Sequence, residues 1–218
     1  MGNAAAFFDL DKTLLSVNSG KLWMLHEYRV GRIGWPKLME GSLYILMYKF
    51  GVVDMNHAMT RAVTTIRGMT EDEIRRGTEE WWDAEVKQHV MPGAHETIAW
   101  HKQQGHRTIL HTSSSPYVGR CAVRTFALDD FLSSKFEVVD GRLTGRFEKP
   151  LCYHEGKVHY ARRYAANHDI DLSKSYFYTD SNTDLPMLEA VGHPRIINPD
   201  PRLARIARKR DWIIGWGR

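Results

Sequence analysis

The sequence predicts an α/β protein with a parallel-sheet core and an inserted helical domain, on three observations. Short apolar runs that end in polar or small residues recur along the chain, helical patterns separate the later runs, and one long stretch near the start breaks this rhythm. The alternation is the one that builds parallel βαβ units with helices on both faces of the sheet. At 218 residues the chain is long enough for a core domain carrying an insert, and 43% hydrophobic with 26% charged residues is ordinary globular composition.

The first apolar run, residues 4–10, reads as a strand. Residues 16–91 then carry almost no strand signal but several amphipathic windows, around Leu22, Leu43, Met59 and Trp81, and are expected to form the helical cap. Within them Thr70 precedes Glu73 by three residues, a capping-box start for the helix that holds Trp81 and Trp82. The core is expected to comprise residues 1–15 and 92–218. Its further strands are read at 108–113, 136–139, 175–179 and 195–198, and its helices at 94–104, 117–126, 156–168 and 184–190. Asp140-Gly141 between apolar flanks adds a small hairpin beside the core. The basic run Arg202, Arg205, Arg208, Lys209 and Arg210 has helical spacing and reads as the solvated face of a terminal helix.

Charge and cysteine usage bound the partners. Lys plus Arg exceed Asp plus Glu by 30 − 26 = 4, which allows an anionic ligand without demanding one. Neither a nucleic acid nor a membrane is expected as a partner; the apolar stretch 43–53 contains Lys49 and is too short for a span. Cys121 and Cys152 form neither a CxxC pair nor a disulfide framework, which together with the lack of a leader points to the cytoplasm. Eleven histidines include no HExxH, so zinc is not expected.

In an open parallel sheet the active site lies at the carboxyl ends of the strands. Asp9-Leu10-Asp11-Lys12-Thr13 follows the first strand, Thr112-Ser113-Ser114-Ser115-Pro116 the second, and Asp180-Ser181-Asn182-Thr183-Asp184 the fourth; Lys157 opens the helix between the third and fourth. Carboxylates gathered at one edge repel one another unless a cation sits among them, and magnesium, with its preference for carboxylates, waters and phosphate oxygens, is the natural choice. Lys157 and the hydroxyl of Ser113 or Thr112 would supply positive charge and donors to a phosphoryl group. Each residue also has a plainer reading: Asp11 and Thr13, Ser115-Pro116 and Asp184 all suit helix caps, and a lone lysine is usually at the surface.

Four motifs in order, DLDKTL at 9–14, Ser113 with Ser115-Pro116, CYHEGK at 152–157 and DSNTD at 180–184, resemble those of the haloacid dehalogenase superfamily. The likeness is to its phosphatases, in the phosphoserine-phosphatase-like branch (subfamily IB), and it spans nearly the whole chain. It implies a Rossmann-like core with the helical cap, and a phosphatase that acts on a small phosphorylated metabolite. It also implies roles: Asp9 as nucleophile, Asp11 as acid and base, Ser113 and Lys157 on phosphoryl oxygens. Magnesium would be held by Asp9, the Asp11 carbonyl and Asp180, with Thr13 fixing the loop and Asp184 orienting Lys157 or metal-bound water. Alignment on Ser115-Pro116 favours Ser113 over Thr112.

Phosphoserine phosphatases carry a glutamate seven residues after the second aspartate, where this chain has Asn18. Asn18, Arg61 and His154 are the substrate-side candidates, with Arg61 or Arg67 a loose match for a carboxylate-gripping arginine. A dehalogenase would need no Asp11, and a phosphonatase would need a cap lysine, for which Lys21, Lys37 and Lys49 are available. A non-catalytic or nucleic-acid-binding protein using the basic terminal helix is the alternative from a different class.

Overall fold

A computed structural model describes residues 2–49 and 55–217, without the side chains of residues 42 and 44–49, which include Tyr44 and Lys49. The chain forms two compact units. One comprises Met1–Val17, His89–Ser134 and Pro150–Arg218; the other comprises Asn18–Gln88 and Lys135–Lys149.

The first unit is built on a six-stranded parallel sheet. Its strands are β1 (Ala5–Phe8), β2 (Arg107–His111), β3 (Asp130–Leu132), β6 (Tyr176–Thr179), β7 (His193–Ile196) and β8 (Ile213–Ile214), in the order β3-β2-β1-β6-β7-β8. Strand β1 sits between β2 and β6 and is fully buried, which is why it reads as an unbroken apolar run. Phe7 points to one face and joins Ile109, Phe177 and Ile196 in a core closed by α7 (Glu155–Asn167), α8 (Leu185–Ala190) and α9 (Pro201–Lys209). Phe8 points to the other face, stacking on Tyr178 at 4.8 Å and meeting His101 of α5 (Ala94–Gln103) edge-on. Each such fully buried aromatic contributes about 2–3 kcal/mol of burial free energy.

Helix α6 (Pro116–Phe126) starts where Ser115 accepts a hydrogen bond from the Val118 N–H and Pro116 occupies the first turn. Asp200 and Pro201 start α9 in the same way, and the basic residues of that helix lie opposite its buried Leu203 and Ala207.

In the second unit α1 (Ser19–Arg29), α2 (Trp35–Lys49), α3 (Met55–Thr65) and α4 (Glu71–Trp81) precede β4 (Phe136–Val139) and β5 (Arg142–Phe147). The Thr70–Glu73 capping box forms at the start of α4, with both reciprocal bonds present, and Trp81 and Trp82 are buried. Among the described residues, no helix is long and apolar enough to cross a membrane.

Two sequence expectations are corrected. Residues 136–139 are not a core strand: β4 pairs antiparallel with β5, and Asp140 and Gly141 turn the hairpin at φ 50° and 72°. This hairpin belongs to the helical unit rather than to the core residues 92–218, because its backbone bonds into the loop after α3 (Gly68 N–H to the Leu143 carbonyl, 2.8 Å; Leu143 N–H to the Met69 carbonyl, 3.0 Å). The strand that takes its place in the sheet, β3, has three half-buried residues, too few for a legible pattern.

Candidate active site

The carboxyl ends of β1, β2 and β6 meet beside one another in the sheet. After β1 the chain turns sharply: Asp11 keeps extended angles (φ −71°, ψ 129°) and Lys12 adopts the left-handed region (φ 56°, ψ 7°). Such a conformation costs a non-glycine residue about 1 kcal/mol, and backbone bonds hold it in place. The Leu15 N–H donates to the Leu10 carbonyl at 2.9 Å, the Lys12 N–H to Val17 at 3.1 Å, and the Asp9 N–H to the Tyr178 carbonyl of β6 at 2.9 Å. Thr13, expected to fix this loop, is fully buried, but its hydroxyl has no hydrogen-bond partner among the described residues; the main chain does the fixing.

Lys157 is the centre of the site. Its side chain is 2% exposed, and Nζ donates to Asp9 Oδ1 at 2.7 Å and to Asp184 Oδ2 at 2.8 Å, above the ring of Phe177. The surface reading of this lysine is therefore excluded. It reaches inward because α7 begins with a tight turn at Gly156, where a Cβ would lie 1.8 Å from the Leu151 carbonyl oxygen. Before it, His154 holds φ 50° and ψ −124° and is exposed beside the half-buried Tyr153.

Asp184 is almost fully buried and also accepts from the Thr179 hydroxyl at 2.7 Å. The plain capping reading of Asp184 does not hold, since its side chain makes no cap bond to α8. Ser115 is a cap, as noted. Of the two hydroxyls after β2, that of Thr112 is buried and accepts from the Ser114 N–H, whereas Ser113 is half-buried, its carbonyl taken by Ser134.

The electrostatics show a surplus of negative charge. Burial pushes the Asp9 carboxyl up to about 7 against the pull of Lys157, with Asp184 and Asp11 adding to the rise. Asp180 is pushed to about 8, by burial first and then by Asp9 and Asp184. Lys157 is held above its ordinary value: burial opposes its charge, but the Asp184 and Asp9 carboxylates outweigh it. One buried lysine does not compensate the group.

A divalent cation fits this donor set, which is all oxygen and carries more negative than positive charge. Among the described residues no three His, Cys, Asp or Glu side chains form a metal-holding group. The set inferred from the sequence needs only the two carboxylates of Asp9 and Asp180, with a main-chain carbonyl from Asp11.

The other substrate-side candidates are occupied locally. The Asn18 carbonyl oxygen accepts from the Lys21 N–H at 3.0 Å and so caps α1. Arg61 pairs with Glu40. Arg67 packs its stem against Gly145, and Lys21 and Lys37 lie on the exposed sides of α1 and α2.

Two supporting residues were missed from sequence. Asp200 accepts from the Asn182 N–H at 2.6 Å, its own N–H reaches the Asp180 carbonyl at 2.8 Å, and its other oxygen caps α9, so it ties the fourth motif to that helix. The Asp-Pro pair was its available signal. Thr179 offered none, because a threonine ending a strand is unremarkable.

Comparison with known proteins places the chain in a family. The family model described as haloacid dehalogenase-like hydrolase matches residues 6–189. The chain is 31% identical to a phosphoserine phosphatase of Mycobacterium tuberculosis, over 97% of this chain and 70% of that one. It is 24% identical to a histidinol-phosphatase of Neisseria meningitidis, over 96% of each. A crystal structure of a protein of unknown function from Bordetella pertussis Tohama I superposes with a TM-score of 0.90 at 29% identity, covering 98% of both chains.

Proposed function

The chain belongs to the haloacid dehalogenase-like hydrolases and is a phosphatase, and on that premise we propose that it hydrolyses a small phosphomonoester through an aspartyl-phosphate on Asp9, with magnesium as cofactor. The observation that carries this reading is the buried Lys157 bridging Asp9 and Asp184 at the carboxyl edge of the sheet.

An Asp9 carboxylate oxygen attacks phosphorus, and the bond from phosphorus to the leaving oxygen breaks as Asp11 gives that oxygen its proton. Asp11, now a carboxylate, takes a proton from the water that attacks the acyl phosphate; inorganic phosphate leaves and Asp9 is regenerated. Lys157 holds Asp9 in one orientation before reaction and donates to phosphoryl oxygens as charge develops, together with Ser113. Magnesium, held by Asp9, Asp180 and the Asp11 carbonyl, would act as a Lewis acid on the phosphoryl oxygens.

Free phosphoserine is not the best substrate on this reading. Asn18 presents a neutral amide whose oxygen already serves as a helix cap, so it cannot neutralise a substrate ammonium. An uncompensated ammonium costs on the order of a hundredfold in specificity.

The test is hydrolysis of p-nitrophenyl phosphate with magnesium and after chelation, in the parent and in Asp9→Asn and Asp11→Asn. Chelation and Asp9→Asn should each abolish turnover, while Asp11→Asn should slow both half-reactions. Turnover in excess chelator, or covalent phosphate on Asp9→Asn, would overturn the assignment. A kcat/KM for phosphoserine above those for histidinol, polyol and aromatic phosphates would overturn the substrate reading alone.

A further inference from the structure

Asp184 Oδ2 accepts two hydrogen bonds, one from Lys157 Nζ at 2.8 Å and one from the hydroxyl of Thr179 at 2.7 Å. The direction of the second follows from its surroundings. Thr179 Oγ1 accepts from the Ser181 N–H at 3.2 Å, a hydroxyl has one proton, and an ionised carboxylate can only accept; the proton therefore points to Asp184. Thr179 is fully buried at the last position of β6, so water does not replace it, and its β-branched side chain has few rotamers there. The result is a continuous chain of donors: Ser181 N–H to Thr179, Thr179 to Asp184, Lys157 to both Asp184 and Asp9.

We propose that Thr179 is a positioning residue for the phosphatase reaction: by fixing the Asp184 oxygen on which Lys157 rests, it sets where the ammonium stands relative to Asp9 and the phosphoryl group. The physical argument is one of competition. Lys157 lies between two carboxylates, at 2.7 Å and 2.8 Å, and whichever oxygen is held more firmly decides how the ammonium is shared. With Thr179 in place Asp184 is anchored on a second side. Without that anchor Asp184 can turn, and Lys157 is drawn onto Asp9, where it screens the nucleophile and is withdrawn from the phosphoryl oxygens. The motif spacing singles out Asp180 and Asp184 but not the residue before them, so this role is visible only in the structure.

The inference rests on the proposed role of Lys157, and the test separates the two. In Thr179→Val, which keeps the shape and removes the donor, kcat for p-nitrophenyl phosphate at saturating magnesium should fall about ten- to a hundredfold. Binding of inorganic phosphate by calorimetry should weaken several-fold at unchanged stoichiometry. Thr179→Ser, which restores the donor, should return kcat to within a few-fold of the parent. Thr179→Val with parental kcat, Thr179→Ser as impaired as Thr179→Val, or a loss of activity matched by lost phosphate-binding stoichiometry would each overturn the proposal. If Thr179→Val does not fold, Thr179→Ala against Thr179→Ser makes the same comparison. Lys157→Met is the control: an active Lys157→Met sinks the role of Lys157 and this inference together, whereas an inactive Lys157→Met with a fully active Thr179→Val sinks this inference alone.

Discussion

The edge of the sheet and the helical unit spend their polar residues differently. At the sheet edge Lys157 and Asp184 are buried, and Lys157 is bonded to Asp9 and Asp184 across long sequence separations. In the helical unit the polar candidates are committed to neighbours on the surface or to a helix end: Asn18 to α1, Arg61 to Glu40. The same unit leaves Trp35, Met39 and Leu43 half exposed along α2. A buried charge must be paired to be tolerated, so its partners are dictated. An exposed one can be exchanged at little cost, which leaves that unit free to vary.

The largest effect that would break this contrast is on stability at Lys157. Lys157→Met leaves Asp9 and Asp184 buried without their cation and should cost about 3 kcal/mol in urea unfolding, near the lower end for a broken buried pair because Asp9 can take a proton instead. A change below about 1 kcal/mol would place the site in the same class as the surface pairs.

A second effect concerns pH. The Asp9 and Asp180 carboxyls rise from an ordinary 3.8 to about 7 and about 8, so the folded chain keeps protons that the unfolded chain has already released. Their stabilising contribution is full below about pH 4 and is lost as pH rises through 7 to 8. Thermal unfolding in chelator should therefore show stability falling across that window. Magnesium competes with those protons, and adding it should flatten the slope. A slope unchanged by magnesium would mean that the ion does not meet these carboxylates.

The smallest effect sharpens the comparison from the other side. Asn18→Ala removes a cap and should cost about 1 kcal/mol by urea unfolding, while Asn18→Asp, which still caps, should be nearly neutral. A larger loss in Asn18→Ala would show that Asn18 supports more than its own helix.

Much of this protein was legible in its residue order. Strand β1 reads as buried because a central parallel strand must be apolar on both faces, and the Thr70–Glu73 box and the Ser115-Pro116 start are local pairings that need no tertiary context. Of the motif residues, Asp9, Asp11, Asp180 and Asp184 follow strand ends, where an open parallel sheet carries its site, whereas Lys157 opens a helix and is singled out by the order of the motifs; the structure brings Asp9, Lys157 and Asp184 together.

Tertiary structure decided the rest. Residues 136–139 have a strand's composition, but only their pairing with β5, whose Leu143 bonds to Gly68 and Met69, assigns them to the helical unit. The Thr13 hydroxyl has no hydrogen-bond partner among the described residues, and the Asn18 side-chain oxygen caps α1, neither of which residue type alone reveals. Thr179 carries no sequence signal and Asp200 only that of a helix start; their importance comes from where β6 and α9 deliver a single hydroxyl and a single carboxylate. Residue type limits which bonds a side chain can make. Which of them it makes, when each polar group has few bonds to give and burial forbids leaving one unmade, is settled only by what the fold brings within 3 Å or so of it.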